Sequence, residues 1–196
     1  MAVYAGGGQL MQEENKMEFR EETLNSREIF QGRIIKVRVD TVKLPDGGSS
    51  TREIVEHAPA VAIVALDDEQ NIKLVRQFRK PVEKMLLEIP AGIMEPGEEP
   101  LASARRELEE ETGFRADRWE KILTYYSAPG FSDEALHVFL ARDLSRGTAS
   151  PDEDEFLQVV ELPLEKAYSH IFDGQIVDGK SIIGIQYAYW HMVRGR

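Results

Sequence analysis

Gly92-Ile93-Met94-Glu95-Pro96-Gly97-Glu98-Glu99-Pro100 runs directly into Leu101-Ala102-Ser103-Ala104-Arg105-Arg106-Glu107-Leu108-Glu109-Glu110-Glu111-Thr112-Gly113-Phe114. Proline at the first helical position and glycine just past the last predict a helix from Pro100 to Thr112, closed by Gly113. At 100° per residue Glu107, Glu110 and Glu111 stand at i, i+3 and i+4, so their carboxylates share one stripe. Leu101, Ala104 and Leu108 form the adjoining stripe, which puts the carboxylates at the border of the core. Three like charges are costly there unless something neutralises them. A hard divalent cation such as Mg²⁺ takes oxygen ligands and keeps waters for substrate phosphates. The glycines and prolines of the preceding loop let backbone carbonyls approach such a cluster, with Ala91 and Gly92 nearest. The competing reading is a solvated helix face held by i, i+4 ion pairs, the usual fate of such charge runs.

Working outward, Ile35, Val37 and Val39 alternate within 33–44, Pro45-Asp46-Gly47-Gly48 makes a turn, and 51–55 resumes the pattern, which predicts a hairpin. A hairpin alone is marginal in water, so it must pack on the main domain or on a second copy. Strands follow at 61–66, 72–78 and 85–89, then a Pro/Gly-punctuated loop and the helix. Strand-like segments at 119–126 and 135–140 flank a loop at 127–134. An acidic loop spans 144–155, a last strand 156–162, and helices are expected at 164–172 and 181–193.

The chain has 196 residues with a formal charge of 24 − 35 = −11 and no cysteine. That length suits one domain with a small appendage. The charge argues against nucleic acid and anionic bilayers as partners. An anionic substrate then needs a bound cation or placed arginines. Disulfides, zinc thiolates and thiol nucleophiles are excluded, and a reducing compartment fits. No apolar run reaches the roughly 18 residues of a membrane span. Residues 1–16 carry no export or transit pattern and read as a disordered leader, with Met17 an alternative start. These features make a cytoplasmic location the expectation. His57, His137, His170 and His191 lack ligand spacing, and Trp119, Trp190, Tyr187 and Tyr189 read as packing or dimer residues.

The spacing decides between the two readings of the helix. Gly92, Glu98, Arg106, Glu107, Leu108, Glu110, Glu111, Gly113 and Phe114 fit without exception the pattern Gly-x5-Glu-x7-Arg-Glu-aliphatic-x-Glu-Glu-x-Gly-hydrophobic. Its seven fixed identities coincide by chance on the order of once in 10⁹ positions. This pattern resembles the signature of the Nudix hydrolases, and the order of strands and helices around it is similar too. The resemblance implies an α/β fold, an α/β/α sandwich with a mixed sheet, and hydrolysis of nucleoside diphosphates linked to another moiety, assisted by Mg²⁺ or Mn²⁺. It implies that Glu107, Glu110, Glu111 and the Ala91 carbonyl hold the metal and that Arg106 orients the carboxylates.

Outside the signature, Tyr126-Ser127-Ala128-Pro129-Gly130-Phe131-Ser132-Asp133-Glu134 resembles the marker of the ADP-ribose pyrophosphatase subgroup, with Pro129 16 residues past Gly113. A plain turn is the alternative for this Pro-Gly pair. Arg52-Glu53-Ile54-Val55-Glu56-His57 and Arg76-Gln77-Phe78-Arg79 resemble segments of that subgroup whose arginines hold ribose and phosphates. Guanidinium forks suit this task. Arg76 and Arg79 lie on opposite faces of a regular strand, so only one is expected to reach substrate, and Arg79 is favoured.

The resemblance further implies substrate contacts from Arg52, Ile93, Ala128, Pro129, Gly130 and Glu134. It implies a small N-terminal antiparallel β domain, residues 17–56, that exchanges in a homodimer and sets Phe30 or Arg27 against adenine, followed by the hydrolase domain over 57–196. A glutamate from a loop outside the signature acts as general base in several such enzymes. Glu153 is favoured here, with Glu155 and Asp154 beside it and Glu110 the rival. The expected reaction is hydrolysis of ADP-ribose to AMP and ribose 5-phosphate. The alternatives are another nucleotide sugar or dinucleotide, and a non-catalytic nucleotide-sensing module.

Overall fold

The computed structural model describes residues 19–150 and 156–191. The apolar run Ala60–Leu66 forms strand β4, and all seven of its residues are buried. β4 lies between β9 (Ala135–Arg146), its parallel neighbour, and β5 (Asn71–Arg79), which is antiparallel to it. Antiparallel pairing extends the sheet with β8 (Phe114–Tyr126) beyond β9 and β10 (Gln158–Pro163) beyond β5, giving the order β10-β5-β4-β9-β8. This is a mixed sheet.

Because strand side chains alternate, β4 supplies two cores. Val61, Ile63 and Ala65 pack with Ala104 and Leu108 of helix α1 (Pro100–Thr112) on one face. Ala62, Val64 and Leu66 pack on the other with Leu164 and Ala167 of α2 (Leu164–Phe172) and Ile185 and Ala188 of α3 (Gly179–Tyr189). The result is the expected α/β/α sandwich. Gly113 closes α1 with φ +68° while its N–H donates to the Glu109 carbonyl at 2.8 Å, a left-handed cap that glycine adopts without strain.

The sheet splits where the chemistry is expected. β4 and β5 pair only at Ala65–Lys73 and Leu66–Ile72, after which β5 leaves to pair with β6 (Lys84–Glu88). The chain then crosses from β6 through Pro90 to β7 (Ala91–Ile93), which takes the first half of β4, and the Ile63 N–H donates to the Pro90 carbonyl at 2.8 Å. Ala91 and Gly92 are thereby delivered beside α1.

β7 corrects the expectation of an uninterrupted loop after residue 89. Pro90 and Gly92 punctuate the segment, yet three residues suffice to cover the edge of β4 that β5 abandons. The expected N-terminal hairpin is corrected to three strands: β1 (Glu22–Gln31), β2 (Ile35–Lys43) and β3 (Ser49–His57), antiparallel in that order. All ten residues of β1 are exposed, so no buried alternation announced it. β8 and β9 are also longer than expected, because charged residues on their outer faces mask the alternation. The leader expected at 1–16 and the tail of the last expected helix lie outside the described residues. No helix among the described residues is long and apolar enough to cross a membrane.

Candidate active site

The carboxylate stripe of α1 faces the β6–β7 crossing. Glu111 is 4% exposed, and one of its oxygens accepts the Ala91 N–H at 3.0 Å. Glu107 lies against Gly92: a Cβ added there would stand 2.0 Å from the Glu107 carboxyl carbon and 2.1 and 2.2 Å from its oxygens. Any side chain at this position would occupy the carboxylate's place. Glycine is required here for close approach.

Arg106 binds the stripe together. Its Nη1 donates to Glu107 Oε1 at 2.7 Å and to Glu110 Oε2 at 2.9 Å. Its Nε and Nη2 grip the two oxygens of Glu98 at 3.1 and 3.0 Å, and Nη2 also reaches the Ile93 carbonyl at 3.4 Å. Glu98 is thus the partner that fixes the arginine. Its hydrogen bonds from Arg106 are the largest influence on it and pull its pKa down to about 2, while the same network raises that of Arg106. The signature contains Glu98, but spacing alone did not disclose this role.

Among the described residues no three acidic or histidine side chains converge as a ready-made metal cage. Glu107 and Glu110 are instead bridged by the Arg106 guanidinium. The donor set still fits a hard divalent cation: its donors are carboxylate oxygens, Glu107 and Glu111 are largely buried, and Gly92 leaves the room that a side chain would fill.

Arg79 comes to this region from β5. Its Nε and Nη2 bond both oxygens of Glu88 at 2.9 and 2.8 Å, and Glu111 and Asp178 add to the field that raises its pKa. Arg76, on the opposite face, is exposed. Glu88 has no signature in the sequence, because a lone carboxylate ending a strand carries no spacing signal.

The loop after β8 is a closed turn. Ala128 O accepts the N–H groups of Phe131 and Ser132 at 3.0 and 2.9 Å, setting Pro129 and Gly130 at its tip, while Ser127 N–H donates to Glu134 O at 3.1 Å across its neck. Ser127 Oγ also donates to the Glu134 carboxylate. This loop is stitched to the end of β3. Val55 N–H donates to Phe131 O at 2.8 Å, and His57 N–H donates to Asp133 Oδ1 at 2.8 Å. His57 Nδ1 lies 3.7 Å from Glu134, so this histidine is a loop neighbour as well as a strand residue. Tyr125, where β8 meets the loop, is pushed up to about 12, chiefly by burial, with Asp178 and Glu134 adding. Its phenol stays protonated.

Arg52 and Phe30 belong to the N-terminal sheet rather than to the sheet that carries α1. Arg52 is engaged by Glu21 at 2.9 Å and by Ser50 at 3.1 Å, and Phe30 is exposed with its ring over Gly32. Glu153, Asp154 and Glu155 lie outside the described residues. The stretch leading to them is tied to α1: Gly147 N–H donates to Gly113 O at 2.8 Å and Ser150 N–H to Glu110 O at 3.0 Å. Tyr189 stacks on Tyr168 at 3.8 Å on the α2–α3 face, Tyr187 donates its hydroxyl to Glu120 at 3.1 Å, and Trp119 meets Phe139 edge-on at 6.4 Å on the α1 face.

Comparison with known proteins places this geometry. The chain is 48% identical over 169 residues to the ADP-ribose pyrophosphatase of Bacillus subtilis strain 168, covering 85% of this chain and 91% of that protein. It is 46% identical over 171 residues to the methanol dehydrogenase activator of Bacillus methanolicus, covering 86% and 92%. A solved structure described as an ADP compounds hydrolase superposes with a TM-score of 0.80 at 23% identity, over 90% of this chain and 95% of that one, which speaks to the fold. The family described as nucleoside diphosphate sugar hydrolase N-terminal domain matches residues 21–55, and the NUDIX domain matches residues 56–182. With its carboxylate helix, glycine cradle and split mixed sheet, the chain belongs to the Nudix family of hydrolases.

Proposed function

We propose that the protein is a homodimeric, cytoplasmic ADP-ribose pyrophosphatase that uses Mg²⁺ or Mn²⁺ to hydrolyse ADP-ribose to AMP and ribose 5-phosphate. The observation that carries the substrate is the 48% identity to an ADP-ribose pyrophosphatase, because it extends over 85% of the chain and so over more than the signature. The 21–55 match to a nucleoside diphosphate sugar hydrolase N-terminal domain supports the same substrate class.

In this reading Glu107, Glu110, Glu111 and the Ala91 carbonyl hold the metal. A divalent cation bound there would neutralise phosphoryl oxygens and lower the pKa of an attacking water. Arg106 keeps the carboxylates in register. Arg79 pairs with the phosphates, and Arg52, Ile93, Ala128, Pro129, Gly130 and Glu134 position the sugar and nucleoside. Water oxygen attacks one phosphorus, the bond from that phosphorus to the bridging oxygen breaks, and the water proton passes to a carboxylate base. Glu153 takes that role. Supporting it, Ser150, just before it in the chain, is bonded to the backbone of Glu110.

Residues 17–56 form the dimerisation segment, which brings Phe30 from a second copy against the adenine. The exposed, ten-residue edge strand β1 supports this, since such an edge invites pairing. Residues 57–196 are the hydrolase domain and 1–16 a leader.

The test is product analysis after incubation with ADP-ribose and Mg²⁺, beside a Glu111→Gln variant. AMP and ribose 5-phosphate from the wild type, with most of the rate lost in the variant, sustain the reading. Survival of ADP-ribose while ADP-glucose, GDP-mannose or NADH is cleaved would overturn the substrate and leave the metal helix standing. Ligand binding with no phosphate product from any of them would favour a nucleotide-sensing module.

A further inference from the structure

Glu88 is 1% exposed at the end of β6, between the buried Leu87 and Ile89. Replacing a buried ion pair by well-packed hydrophobic residues is often neutral or stabilising, so stability alone is a weak reason for a carboxylate here. Both of its oxygens are occupied. Oε1 accepts Arg79 Nε at 2.9 Å, and Oε2 accepts Arg79 Nη2 at 2.8 Å together with the ammonium of Lys180.

Strand register explains how the partners meet. Glu88 stands opposite Val75 in the β5–β6 pairing, and Arg79 lies four residues beyond Val75 on the same face. Four residues of strand span about 13 Å, so the arginine must extend back along its own strand to reach Glu88. This fixes the direction of a long side chain that is otherwise free to point into solvent. Arg79 pairs through Nε and Nη2; among the described residues no hydrogen bond engages Nη1, the outer edge of the guanidinium fork, and the side chain is 40% exposed.

Lys180 holds the second end of the arrangement. It is 3.0 Å from Asp178, which caps α3 by accepting Ser181 N–H at 3.0 Å and the Ser181 hydroxyl. Ser181 Oγ in turn accepts the N–H of Ile89 at 2.9 Å. The first turn of α3 is therefore fastened to Glu88 and Ile89 at two points.

We infer that Glu88, backed by Lys180, is a positioning residue that aims Arg79 at the substrate phosphates. This rests on the phosphate-binding role given to Arg79 above. Glu88 touches no reacting atom. It presents the free edge of the guanidinium to the site, and Lys180 supplies the second positive charge that keeps the carboxylate ionised and turned toward both partners.

The test is a double-mutant cycle with Glu88→Gln and Arg79→Ala, singly and together, read as KM and kcat separately. It uses whichever of ADP-ribose, ADP-glucose, GDP-mannose or NADH the wild type cleaves, so a wrong substrate assignment does not count against the positioning role. Glu88→Gln alone is expected to raise KM by about tenfold with a smaller change in kcat, and to change kcat/KM by less than about twofold when Arg79 is already alanine. A structural role would add in both backgrounds. Equal effects in the two backgrounds, or an unchanged KM, overturn the inference. Should Glu88→Gln fail to fold, Lys180→Met leaves the bidentate pair in place. It is expected to raise KM about threefold, again only when Arg79 is present, and additivity there overturns the inference equally.

Discussion

The carboxyl group of Glu107 rests on the α-carbon of Gly92, with the space of a single methyl group separating an intact signature from a blocked one. The methyl of Gly92→Ala would overlap the carboxylate, which must then rotate away. Activity should fall by about 10²-fold or more while the fold persists, since the clash involves the end of a side chain rather than the core. Steady-state kinetics beside the circular dichroism melting curve check this, and a variant with wild-type kcat/KM would show that Glu107 has room elsewhere.

The grip of Glu98 on Arg106 has a pH signature. Because the folded-state pKa of Glu98 is lowered from 4.5 to about 2, its stabilising contribution is complete above the unfolded value and is lost as pH falls through the folded one. Glu98→Gln should therefore melt below wild type at neutral pH, and the gap between the two should close between about pH 4.5 and 2. A gap that stays constant over this range would mean that the pairing contributes nothing through charge.

Asp133 ties the Pro129 loop to His57. Asp133→Ala should raise KM several-fold and speed amide exchange at His57 and across 127–134, with the melting temperature nearly unchanged because the loop covers little of the core. Asp133→Asn keeps an acceptor oxygen and should restore most of the affinity. Equal effects of the two substitutions would remove the hydrogen bond from the explanation.

The general base is testable one carboxylate at a time. Glu153→Gln should lower kcat by about 10²–10⁴ and flatten the acid limb of the pH–rate profile, with KM little altered. Asp154→Asn and Glu155→Gln should lower it far less. If Glu110→Gln alone flattens the profile, the base lies in α1.

Metal binding can be read without turnover. Adding Mg²⁺ or Mn²⁺ to chelator-treated protein should raise the melting temperature of the wild type and leave that of Glu111→Gln unmoved. Activity should follow the same titration. A shift of equal size in both proteins would place the cation away from the helix.

The features that repeat along the chain were legible in the sequence. Pro100 and Gly113 bracket α1 as read, because caps are local chemistry, and the apolar run before Asp67 becomes the central strand. The stripe of Glu107, Glu110 and Glu111 follows from helical geometry. What escaped reading was created by long-range pairing. β1 carries no burial pattern of its own, and β7 exists only because β5 abandons β4. Glu88 meets Arg79 across a strand register and Lys180 from a helix 92 positions away, a meeting without local signature. Asp133 lies within the Pro129 motif, but its partner, the backbone N–H of His57, lies 76 positions upstream.

The hydrogen bond from Val55 to Phe131 joins the last strand of the N-terminal sheet to the loop that carries Pro129. Val55 belongs to β3 itself, so a displacement of the N-terminal sheet is passed along that strand to the Pro129 loop without a flexible joint between. In the proposed homodimer, association and substrate choice would then share one mechanical element. A substitution on β1 that shifts how the sheet is held would then move the Pro129 loop without touching any of its residues.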